Sequence, residues 1–321
     1  MASRSERSPA LSTKLRKQLV AAALVKEIPV TGWVYTATAS PDGRTLLLGG
    51  NGAIDVVDLN RGSSRQVTPP AARREEVSRL AFTPDGKRVV ATLWSGAVAV
   101  LAWPTLKQIA VHQVTDERLH ALAVMPDGRS AWVGGGDEKR TRIDLRSGRV
   151  LASQQGERMW LGALALSPDG KTLVTGDAAT NVRICDGKTG KQKKVTRLGS
   201  AHELVVTADE VLVPSLEFAS VNLATGRVRK RFEGVHRLGA RAAVVLDGGA
   251  FVASVGNHEA TFAIWERASG LPRLMLKPLK KRGFETLVTA GENLVTVPYC
   301  DGPLQIWRTQ ALVDAARHIH A

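Results

Sequence analysis

One tetrapeptide recurs along the chain at a nearly constant interval. Ser40-Pro41-Asp42-Gly43, Thr83-Pro84-Asp85-Gly86, Met125-Pro126-Asp127-Gly128 and Ser167-Pro168-Asp169-Gly170 set their prolines 43, 42 and 42 residues apart. Weaker forms continue the register: Ala208-Asp209 lies 40 residues on, Leu246-Asp247-Gly248 another 38 and Ala290-Gly291 another 44. Proline presets φ for the second position of a type I turn, Asp suits the third, and Gly accepts the left-handed conformation that follows. A strand is expected on either side of each turn. Seven units of about 40–45 residues, each holding several short strands, predict an all-β, seven-bladed β-propeller of four-stranded blades.

The fourth unit displays the plan. Leu161–Leu166, the turn, Thr172–Gly176, a polar break at 177–181, Val182–Cys185 and Lys193–Arg197 read as four short strands. Stretches such as Val89–Trp94 are almost continuously apolar, which suits strands buried on both faces between stacked blades. After Ile306-Trp307 the last unit lacks a good outer strand. Residues 23–29 at the other end are expected to supply it, closing the ring and removing the open sheet edge. Short helices are expected at both termini: 12–22, with Leu15, Leu19 and Ala22 on one face, and 309–317, with Thr309 as its N-cap. The chain thus divides into a polar N-terminal tail and short helix (1–22), the propeller (23–309) and a C-terminal helix or tail (310–321).

The fourth unit, SPDGKTLVTGDAATNVRICD, resembles the blades of the WD-repeat propeller family. The family's WD position is recognisable at Val57-Asp58, Ile143-Asp144, Cys185-Asp186, Ile264-Trp265 and Ile306-Trp307, and its turn Asp at Asp137, Asp177 and Asp301. The resemblance covers about residues 27–309. The family's structural network of His, Ser/Thr, Asp and Trp is complete in no unit, although His202 and His236 precede inner strands as a family histidine would. The resemblance implies a scaffold that binds other proteins.

No catalytic arrangement is found. The chain has no GxSxG elbow, HExxH helix, P-loop or nucleotide-binding GxGxxG. Cys185 and Cys300 stand far apart, outside any zinc or disulfide spacing. Glu203 and Glu285 begin inner strands and read as solvated channel-mouth carboxylates. No cofactor, metal or catalytic residue is therefore assigned. The apolar run Leu19–Val25 is too short for a convincing signal peptide. No stretch reaches the roughly 20 apolar residues of a membrane span, and a cytoplasmic location is expected.

Charge supplies the remaining signal. The 321 residues include 44 Lys and Arg against 30 Asp and Glu, a net charge of +14. Dense basic segments at 188–197 and 227–231 fall on outer strands, where Lys and Arg discourage edge-to-edge aggregation. A third lies at 277–282. Together they would also steer an acidic protein, or hold nucleic acid through its phosphates. Phe232 is the only nearby aromatic side chain for stacking bases. The better binding surface is the face opposite the Pro-Asp-Gly turns. Trp94, Trp160, Tyr299 and Phe284 are placed there, with Arg140, Lys281 and Arg282 beside them; aromatic and Arg side chains are the usual anchors of interfaces. The reading is a non-catalytic, monomeric ring within a larger complex that binds a protein or peptide, an acidic one among the candidates. A nucleic-acid-binding propeller is the alternative, and a propeller hydrolase or lactonase a weaker one.

Overall fold

The computed structural model describes residues 18, 21–156, 159–276 and 283–318. The three Pro-Asp-Gly turns that begin with Ser or Thr are held by a small, repeated set of bonds. Ser40 Oγ donates to Asp42 at 2.5 Å, the same carboxylate accepts the Arg44 N–H at 3.1 Å, and the Thr45 N–H returns to Ser40 Oγ at 3.0 Å. Thr83 and Asp85, and Ser167 and Asp169, repeat this pattern. The hydroxyl bond, followed by the backbone N–H, holds the carboxyls of Asp42, Asp85 and Asp169 below the usual range. The glycines that end all four Pro-Asp-Gly turns have φ of +68°, +67°, +64° and +69°.

The turns also meet one another. A side chain on Gly86 would press on Pro41, and one on Gly170 would collide with Pro126. The proline of one blade therefore seats the glycine of the next, which couples turn chemistry to blade packing around the ring.

Seven four-stranded antiparallel sheets follow. Six are built in chain order: 34–67, 77–113, 119–155, 161–197, 205–231 and 240–276. The seventh takes three strands from 284–308, and its fourth is Leu24–Val30, antiparallel to Gly302–Arg308 with Ile28 opposite Leu304. The expected closure thus forms, one residue later than the sequence placed it. Apolar clusters fill the seams between successive blades, for instance Leu47, Val56 and Val77 with Ala91 between blades one and two. Trp132 and Trp265 are fully buried within strands, and Trp132 Nε1 donates to Gly187 O at 2.8 Å. Blade five is the shortest, with an inner strand of only Val205–Val206.

Helix α1 (Thr309–His318) buries Leu312, Val313 and Ala316 in a cluster with Phe262, Leu276 and Ala23. The Thr309 cap does not form: its Oγ1 is buried without a partner, and its N–H donates to Glu292 O at 3.0 Å instead. Of the N-terminal helix, residues 18 and 21–23 are helical, and the rest lies outside the described residues. Among the described residues no helix is long and apolar enough to cross a membrane.

Candidate functional site: the channel mouth

The inner strands share an irregularity at their first turn of the ladder. In blades one, two, three, four, six and seven the pairing register shifts across the second residue: Tyr35, Ser78, His120, Gly162, Arg241 and Glu285. A bulge leaves its extra residue outside the ladder and re-aims the side chain. Here all six line the end of the channel opposite the Pro-Asp-Gly turns. In blade five His202 and Glu203, just before the shortened strand, take the corresponding place.

Bulging also frees carbonyls, and Arg79 collects them. Its Nη1 donates to Ser78 O at 2.8 Å and Tyr35 O at 3.3 Å; its Nη2 donates to His202 O at 3.1 Å and Gly162 O at 3.4 Å. One guanidinium thus ties four blades across the channel. Burial lowers its pKa, opposed by the nearby Glu285 charge. Beside it Arg241 donates to Glu285 Oε1 at 2.5 Å, and Thr286 Oγ1 donates to Glu203 at 3.0 Å. Burial pushes the Glu203 carboxyl up to about 7, against the Thr286 bond and the charges of Arg79 and Arg241. Burial, then Arg79 and Arg118, hold His120 down at about 4; burial, then Arg241 and Arg79, hold His202 at about 3. Both imidazoles are neutral at pH 7. The expectation of solvated carboxylates is therefore corrected: Glu285 is 6% exposed and ion-paired, and the channel carries a polar cluster.

Above this floor stands an aromatic rim. Tyr35 lies against Trp94, with ring centroids 5.1 Å apart, and the Arg118 guanidinium caps the Trp94 ring at 4.3 Å. Trp160 stands between His120 (5.2 Å) and His202 (6.1 Å). Tyr299 meets Trp33 edge-on at 4.9 Å. The space between the Trp94 and Trp160 walls holds roughly 570 Å³, within the 300–1,000 Å³ common for ligand sites. Among the described residues no group of three or more His, Cys, Asp and Glu is placed to hold a metal ion.

No family model matches the chain. A stretch of 155 residues, 47% of this chain, is 29% identical to the groucho protein of Drosophila melanogaster, a WD-repeat protein, and covers 21% of that protein's length. The chain is a WD40-like β-propeller. The propeller keeps part of the family's internal network in blade six. His236 bonds Ser254 Oγ at 2.7 Å and Thr261 Oγ1 at 2.8 Å, and Trp265 Nε1 donates to the same Ser254 Oγ at 2.7 Å. His202, the other candidate, turns to the mouth instead.

The propeller sorts the residues singled out from sequence. Trp94, Trp160 and Tyr299 reach the mouth half-buried. Phe284 lines its edge but is 6% exposed and belongs to the apolar cluster beneath. Arg140 does not reach the face. It is 2% exposed, and its Nε donates to Gly190 O at 2.8 Å, which staples blade three to blade four. Lys281 and Arg282 lie outside the described residues. Phe232 is buried and stacked on Phe218 at 4.4 Å, so it offers no face to a base. Sequence reasoning missed Tyr35, Arg79, His120 and Arg241. For Tyr35 and His120 the signal was periodic: like Ser78 and Gly162, each stands seven residues before a turn aspartate, whereas Arg79 and Arg241 do not keep that offset.

Proposed function

We propose that this propeller is a non-catalytic scaffold that captures a protein or peptide at the aromatic mouth of its channel. The observation that carries this reading is the pair of walls, Tyr35 with Trp94 and Trp160 with His120, facing one cavity over a floor of arginine and glutamate. Large aromatic side chains in a partly dry pocket are where interfaces concentrate their energy. The walls are held by strand ends and bulges rather than by long loops, so little ordering entropy opposes a guest. On the floor Arg241 engages Glu285 through Oε1 and Thr286 donates to Glu203, contacts that fix the floor in place beneath a guest. Two free cysteines suit the reducing cytoplasm.

A random peptide library displayed on phage and selected on the full chain tests this. Peptides should enrich on the wild type and be lost on a folded Trp94→Ala/Trp160→Ala variant. Equal enrichment on both would remove the mouth from the account.

A further inference from the structure

Every blade ends outward on a strand with no sheet neighbour on its far side. Six of these seven edges are guarded. Arg65 stands on the outer strand of blade one, Lys193 and Lys194 on that of blade four, and three basic residues, 229–231, on that of blade five. Blade six has Pro272 and Arg273, and the closing strand of blade seven has Lys26, Glu27 and Pro29. Blade two has Lys107, and the Ala71 N–H of the adjoining turn donates to Gln108 Oε1 at 2.8 Å. Charge, proline and covering segments are the usual means of blocking an edge. Blade three has neither charge nor proline there: its outer strand, Val150–Gln155, reads VLASQQ.

One repeated position makes the contrast sharper. In blades two to six the outer strand bulges near its start, and the extra residue is Ile109, Leu151, Lys193, Arg229 and Arg273 in turn. The last three are ion-paired, with Asp186, Asp209 and Glu266. Leu151 instead stands 38% exposed beside Val150 at 53%. Past the bulge, residues 152–155 keep a regular register with 139–142 and leave their other side open. The hairpin turn into this strand carries exposed Arg146 and Arg149. Its one acid, Asp144, accepts the Arg146 and Ser147 N–H groups at 3.0 and 2.8 Å. The edge is therefore aliphatic with a basic end. A second copy of the chain would bring +14 against +14, whereas a guest with acidic residues at that end meets opposite charge.

We infer that the outer edge of blade three takes an extended segment of a partner protein as a fifth, antiparallel strand, aliphatic along Val150 and Leu151 and acidic in the residues that follow. Backbone pairing supplies the affinity in such strand addition, and the side chains the selectivity. An antiparallel guest lays its carboxy-terminal end beside Arg149, which fixes where its acidic residues fall. This surface lies on the outer wall, apart from the channel mouth, and stands or falls separately from it.

Hydrogen–deuterium exchange of the full chain, read by mass spectrometry with acetyl-Thr-Val-Thr-Ile-Val-Thr-Glu-Glu-amide, tests the inference. Exchange across 150–155 should slow about tenfold at about ten times the Kd of the peptide, while 192–197 and 228–231 stay unchanged. Replacing the two Glu of the peptide by Lys should weaken binding at least about threefold, as should Arg146→Gln/Arg149→Gln in the protein. Val150→Ser/Leu151→Ser, which gives the strand the Ser-Ser start of blade one, should weaken it at least about tenfold, with melting as the check on its fold. If that variant does not fold, the arginine variant decides. No slowing at 150–155, equal slowing at the guarded edges, or equal binding of the Glu and Lys peptides overturns the inference. Sedimentation without peptide should show a monomer. A dimer abolished by the serine variant would give the edge to a second copy and overturn the partner assignment.

Discussion

The channel mouth and the outer strands of blades four and five both concentrate basic side chains, and they hold them in opposite ways. On the outer strands Lys193 pairs with Asp186 at 3.1 Å, Arg229 with Asp209 at 2.5 Å and Arg231 with Glu217 at 2.5 Å, all with substantial exposure. Lys230 caps the carbonyl of Arg267 at 2.6 Å. These are short-range pairs in water on exposed edges, where charge prevents sheet-to-sheet association. At the mouth, Arg79 is spent on four carbonyls and Arg241 on a buried carboxylate that keeps one oxygen free. The difference teaches that charge density alone did not locate the site. What marks it is charge withdrawn from water, surrounded by aromatic rings, with one valence unmet.

The comparison breaks first on stability. Arg79→Met should cost about 3 kcal/mol, because several bulge carbonyls lose their donor at once. Arg241→Met should cost a similar amount, about 3 kcal/mol, by stranding Glu285 as a buried charge. Urea unfolding midpoints read both. Losses below 1 kcal/mol would mean that the mouth is as solvated as the outer strands. The second effect is on binding. Trp94→Ala and Trp160→Ala should each weaken a library-selected peptide by at least about tenfold, on the scale of interface hot spots, while the melting temperature stays close to that of the wild type. Calorimetry with the same peptide measures it.

Acid sharpens the contrast next. His120, His202 and His236 have folded pKa values lowered from 6.5 to about 4, 3 and 4. The unfolded chain therefore binds protons that the folded chain refuses, and stability falls as pH drops below 6.5. Glu203 acts oppositely. Its folded value of about 7 exceeds the ordinary 4.5, so acidification from 7 to 4.5 favours the folded state through this group. With three histidines against one carboxyl, the melting temperature should fall between pH 7 and pH 4. The fall should be shallower in His120→Asn/His202→Asn and steeper in Glu203→Gln. Thermal melts across that range decide, and a flat profile would contradict the buried mouth. The smallest effect belongs to the outer strands. Arg231→Met or Lys193→Ala should change stability by less than about 1 kcal/mol and leave peptide affinity untouched.

Legibility in the sequence followed the range of the interactions. The Pro-Asp-Gly turns encode themselves within four residues, so seven blades and the missing last strand could be read directly. The packing of Pro41 on Gly86 also explains why the signal repeats around the ring. Trp94 and Trp160 were found because they end or precede strands. Arg140 was misplaced because its neighbour Gly190 lies 50 residues away in the next blade. The floor was only partly legible: Glu203 and Glu285 were placed at the channel mouth, but Tyr35, His120 and Arg241 look like ordinary strand residues until the ring brings its blades to one axis. The bulges that turn them inward are invisible in hydropathy, yet in the first four blades their fixed offset from the turn aspartates is a usable signal. Blade five keeps an inner strand of only Val205–Val206 and lacks the Pro and Gly of the turn, yet His202 still stands seven residues before its turn aspartate, Asp209.

The most direct test of the mouth as the interaction site is capture of partners from native lysate after nuclease treatment. Wild type would be compared with Trp94→Ala/Trp160→Ala and with an outer-strand variant, Lys193→Ala/Arg231→Met. The account predicts that the same protein is retained by the wild type and the outer-strand variant and lost from the mouth variant. Retention by the mouth variant, with loss on nuclease treatment or on outer-strand substitution, would contradict it and make the basic sector the functional surface.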